Sequence, residues 1–144
     1  MSFKMASVVK LRRDQDGEWF KCPYVTAGDF EVRINFLDSD EWTKLLAKAK
    51  KPDGKTVDDE KLARLIADTS VSGWRGLTKE AMLELFPGME PEQVEQIPES
   101  GIPADAETKY VLLREQSDVF RWISKLSNDR AAYVEARKDS ERKN

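Results

Sequence analysis

The hydrophobic period of this chain changes at one place, and that change calls for a fold that joins strands to helices. Phe30, Val32, Ile34 and Phe36 alternate with Glu31, Arg33 and Asn35. Successive side chains of a strand point to opposite faces, so the pattern predicts a strand with one covered and one wet face. After Asp38 the spacing becomes helical. Trp42, Leu45, Leu46 and Ala49 fall on one side, and Lys44, Lys48 and Lys51 on the other. Asp38 and Glu41 stand at the two positions of a capping box. Pro52-Asp53-Gly54 ends the helix. The simplest cover for the apolar face of residues 30–36 is this helix.

Two more strands are expected upstream. Residues 5–13 are rich in aliphatic and β-branched side chains, and residues 18–24 carry Trp19 and Phe20. Asp14-Gln15-Asp16-Gly17 is the turn between them, and Pro23 marks an edge or an end. Downstream the signals are helical. A helix is expected over 58–67, with Leu62, Leu65 and Ile66 as its stripe. Thr78 caps a short one bearing Met82, Leu83 and Phe86. Residues 87–103 hold four prolines and two glycines and read as a loop with one helical turn at 92–97. A long helix spans 106–126, with Leu112, Leu113, Val119, Phe120, Ile123 and Leu126 on one arc. Asn128 caps a last helix over 129–137, and the apolar-free end beyond Arg137 frays. The expected class is α+β: an N-terminal antiparallel sheet of about three strands packed by a helix, then a mainly helical C-terminal half. One domain covers 1–136, with a charged tail over 137–144.

Gly73-Trp74-Arg75-Gly76 stands out from its charge-rich surroundings. Two glycines imply a turn or a close approach that a side chain would block. Trp and Arg are enriched at binding hot spots. Two readings stay open: a tight corner in which Trp74 plugs the core and Arg75 pairs with an acid, or an anchor for another molecule. Trp122 poses a similar question. On an ideal helix it lies about 100° from the centre of the apolar arc, beside Val111. It either widens the core face or stands exposed as an anchor. The candidate partner-binding residues are therefore Trp74, Arg75, Val111 and Trp122, and self-association is expected from the amphipathic helix.

Composition removes much of catalytic chemistry. The 144 residues include no histidine and one cysteine, Cys22. Ser-His-Asp and Cys-His catalysis within one chain are excluded, as are histidine or all-thiolate zinc sites. Lys21 is adjacent to Cys22 but points to the opposite face of a strand, so the thiol reads as packed rather than reactive. Asp38, Asp40 and Glu41, like Asp58, Asp59 and Glu60, suit helix N-termini better than a calcium loop. Nothing singles out a catalytic pair among the 27 acids. Neither cofactor nor metal is expected. The net charge of −3 gives no case for nucleic acid. No apolar run is long enough to cross a bilayer, and the first residues lack the apolar core of a signal peptide. A single cysteine suits a reducing compartment, and the expected location is the cytoplasm.

The order of Gly17-Glu18-Trp19, Phe30-Glu31-Val32-Arg33-Ile34, Ser72-Gly73-Trp74-Arg75-Gly76-Leu77 and Phe120-Arg121-Trp122-Ile123 resembles the tail assembly chaperones of long-tailed, non-contractile bacteriophages. The last motif has one residue fewer between Phe and Trp than the family's signature, and the proline-rich loop 87–103 is a departure. The resemblance covers roughly residues 5–135. It implies a non-enzymatic protein of the bacterial host cytoplasm that binds the tape-measure protein, keeps its apolar helices soluble, helps recruit the major tail protein and is absent from the mature virion. The alternative is a structural head–tail connector or minor tail protein of a phage or prophage.

Overall fold

The computed structural model describes residues 17–143. The expected strand over 5–13, and all but Gly17 of the turn that follows it, lie outside the described residues. Three strands form an antiparallel sheet in the order β1-β2-β3: β1 Glu18–Lys21, β2 Glu31–Ile34 and β3 Val71–Arg75. Seven helices accompany them among the described residues. These are α1 Ser39–Ala49, α2 Asp59–Ser70, α3 Lys79–Leu85, α4 Pro91–Glu95, α5 Ala106–Glu115, α6 Ser117–Asn128 and α7 Arg130–Lys143. The α+β class and the mainly helical C-terminal half are as the sequence predicts.

The third strand corrects the reading of Gly73-Trp74-Arg75 as a corner: these residues complete the sheet. Arg33 pairs with Gly73 and Ile34 with Val71, so Ser72 is the extra residue of a bulge. The bulge resets the alternation. Val71 and Trp74 lie three residues apart yet are both buried, while Ser72 and Arg75 are exposed. Gly73 meets no obstacle where a Cβ would stand. The glycine that the backbone requires is Gly76, at φ +81°, where a Cβ would come within 2.3 Å of the Asp29 carbonyl.

Phe30, Val32 and Ile34 are fully buried, as the alternation predicts, and Phe36 is half-buried with its ring 5.8 Å from Tyr133. Their cover differs from expectation. The sheet rests on α2 beside β3, α6 beneath β2 and α7 along β1, whereas α1 packs principally on α2. The N-terminus of α1 is as expected, with the Asp38 carboxylate accepting from the Glu41 amide at 2.8 Å.

The helix expected over 106–126 is two helices. Gln116 leaves the helical region at φ −115°, ψ 87°, and its side-chain amide donates to the Leu85 carbonyl. Val111 and Trp122 therefore belong to different helices and share no face of one. α7 is capped by Asp129 rather than Asn128: the Asp129 carboxylate accepts from the Ala132 amide at 3.0 Å, and Asn128 donates back to the Ser124 carbonyl. α7 also runs beyond Arg137 to Lys143, and the Ser140 hydroxyl donates to Glu18 on β1 at 3.1 Å.

Candidate functional site

Trp74 is 9% exposed and stacks edge-on to Phe30, ring centroids 6.1 Å apart. Its indole Nε1 donates to the Ile102 carbonyl at 2.8 Å. A buried ring with its one donor satisfied is a core plug, and it offers almost no surface to a partner. Arg75 lies on the opposite face of the sheet. Its Nε is 3.0 Å from a Glu31 carboxylate oxygen, and its guanidinium sits 4.1 Å from the centre of the Trp19 ring. Trp122 is half-buried and packs against the core. Trp74, Arg75, Val111 and Trp122 do not form one site.

Val111 lines an apolar groove walled by α3, α4 and α5. The groove encloses about 210 Å³, and Met82, Phe86, Met89, Ile102 and Val111 are among its lining residues. It continues into a more open hollow of about 510 Å³ that shares Phe86, Met89 and Gln93 and reaches Gln116. Each wall has a local cause. The Thr78 hydroxyl accepts from the Ala81 amide and starts α3. Pro87-Gly88 ends it and turns the chain so that Met89 faces back across the groove. Pro91 stands at the first position of α4, where its missing N–H costs nothing. The Asp105 carboxylate accepts from the Thr108 amide and starts α5.

The floor is tied to the sheet through the Trp74 strand. The Ile102 amide donates to the Leu77 carbonyl at 2.9 Å, and the Ile102 carbonyl receives the Trp74 indole at 2.8 Å. Glu84 holds α3 to the β1–β2 connection. Its carboxylate accepts from the Thr26 and Ala27 amides at 2.9 and 2.8 Å and from the Thr26 hydroxyl.

Among the described residues, the carboxylates whose pKa moves all move down, and hydrogen bonds cause it. The Thr26 hydroxyl holds Glu84 low, the Lys55 amide does so for Asp53 and the Thr108 amide for Asp105. These acids serve turns and helix starts. Cys22 is buried, and desolvation raises its thiol pKa, the opposite of what a nucleophile needs. Among the described residues no cluster of three His, Cys, Asp or Glu could hold a metal ion, and no helix is long and apolar enough to cross a membrane.

The proline-rich loop, a departure from the resemblance, builds one wall of the groove. Its signal was present in the sequence: Met82, Leu83, Phe86 and Met89 crowd four large apolar side chains into and just after a helix of only seven residues. Leu83 is 39% exposed. Comparison with protein-family models, curated proteins and solved structures gave no significant match.

Proposed function

We propose that this protein is a phage tail assembly chaperone that binds the tape-measure protein in the host cytoplasm and assists tail-tube assembly without catalysis. The motif order supplies the family expectation. The observation that carries the reading is the groove of Met82, Phe86, Met89 and Val111. Amphipathic helices dock by laying an apolar stripe into such a groove. Methionine is flexible and polarizable, and surfaces rich in it accept several helices in turn. A chaperone holding successive segments of a long helical protein needs that tolerance. A charged exterior, 35% of the residues, keeps such a complex in solution.

Co-expression with the tape-measure protein of the same phage or prophage tests this role. The chaperone reading requires more of that protein in the soluble fraction and co-purification of the two. An unchanged, insoluble tape-measure protein would contradict it. Mass spectrometry of purified particles separates the head–tail connector alternative, which requires stoichiometric presence in the virion.

A further inference from the structure

The segment that builds the α3 and α4 walls is unusually one-sided in charge. From Lys79 to Glu107 it contains eight acids and one basic residue. Glu84 and Asp105 are engaged in hydrogen bonds, and Glu107 lies 3.6 Å from Arg64. The side chains of Glu80, Glu92 and Glu95 are exposed and have no ion pair or hydrogen bond among the described residues. Glu90 adjoins Met89 in sequence, and Glu92 adjoins Gln93, both residues of the lining. The segment that supplies these two walls thus carries negative charge that the fold itself does not neutralise.

We propose that the groove binds an amphipathic helix of another protein whose apolar stripe is flanked by lysine and arginine. Complementary potentials steer association and select among partners with equally apolar stripes. The same acids disfavour two other occupants. Two copies meeting groove to groove would set like charges against each other, since a two-fold interface joins a patch to itself. An anionic membrane surface would be repelled. The inference rests on the chaperone reading only for who the partner is, because it gives the chemistry of that partner's docking segment.

The probe is a fluorescein-labelled peptide of about 18 residues with leucine at helical spacing and lysine and arginine elsewhere. Its twin carries glutamate at every basic position. Fluorescence anisotropy at low salt is expected to give at least about tenfold tighter binding of the basic peptide, with the gap closing as salt screens the charges. Met89→Asp decides between docking and mere charge attraction. It adds a negative charge, so charge attraction alone would strengthen binding, whereas apolar docking loses at least about tenfold. Glu92→Lys with Glu95→Lys, two exposed sites, is expected to erase the preference between the twins while leaving circular dichroism unchanged. It stands as the test should Met89→Asp fail to fold. Equal binding of the twins, binding of neither, or undiminished binding by folded Met89→Asp would overturn the proposal. So would a dimer by light scattering that Met89→Asp dissolves, which would assign the groove to a second copy. No tail protein enters this assay, so its failure leaves the solubility test of the chaperone role standing.

Discussion

The indole Nε1 of Trp74 donates to the backbone carbonyl of Ile102 at 2.8 Å, linking the last strand of the sheet to the floor of the groove. Trp74→Ala is expected to cost about 3–5 kcal/mol, as loss of a buried large aromatic does. Trp74→Phe keeps most of the ring but leaves the carbonyl without its donor, and should cost about 1–3 kcal/mol. Urea denaturation followed by circular dichroism measures both. A Trp74→Phe variant as stable as the parent would remove the hydrogen bond from the account.

Gly73 and Gly76 should behave oppositely. Gly73 has open space where a Cβ would stand, so Gly73→Ala is expected to shift stability by less than about 1 kcal/mol. At Gly76 the positive φ and the Asp29 carbonyl combine, and Gly76→Ala should cost on the order of 1–3 kcal/mol. Thermal melts of the pair provide the comparison.

Glu84 gives a pH signature. Its carboxyl pKa is held below the ordinary value, first by the Thr26 hydroxyl and then by the Ala27 amide. A folded-state pKa below the unfolded one means that the stabilisation is fully present above the unfolded value of about 4.3 and is lost as pH falls through the folded value. Glu84→Gln is therefore expected to melt below the parent at pH 7, with the difference shrinking as pH falls below about 4. A difference that persists unchanged into strong acid would show that the carboxylate is not its source.

Ser70 and Ser127 are fully buried, and neither hydroxyl has a hydrogen-bond partner among the described residues. Their backbone carbonyls are engaged, by the Asn35 and Leu37 amides respectively. Replacement by alanine removes an unpaired polar group and leaves those backbone bonds intact. Ser127→Ala is expected to be neutral or stabilising by up to about 1 kcal/mol, read from the denaturation midpoint.

Signals confined to one element were legible in the sequence. The β2 alternation, the Asp38–Glu41 capping box and the Thr78 cap are each set by neighbours within a few residues, and each is present in the fold. β3 was hidden because the bulge at Ser72 breaks the period-2 pattern that identifies a strand. The division at Gln116 was hidden because apolar residues fall on a continuous wheel across it. Ser117 and Asp118, typical first-turn residues, were its local sign. The groove escaped detection because its lining comes from three helices and a proline-rich loop, and sequence spacing does not express their meeting. Of the expected partner-binding residues, Val111 lies in the groove, while Trp74 belongs to the core.

The central claim is that the groove carries the tape-measure protein. Its most direct measurement is co-purification of that protein with the tagged parent and with Met89→Asp, both shown to be folded by circular dichroism. The account predicts a stable complex with the parent and at least about a tenfold loss of bound tape-measure protein with the variant. Equal recovery with both would contradict it.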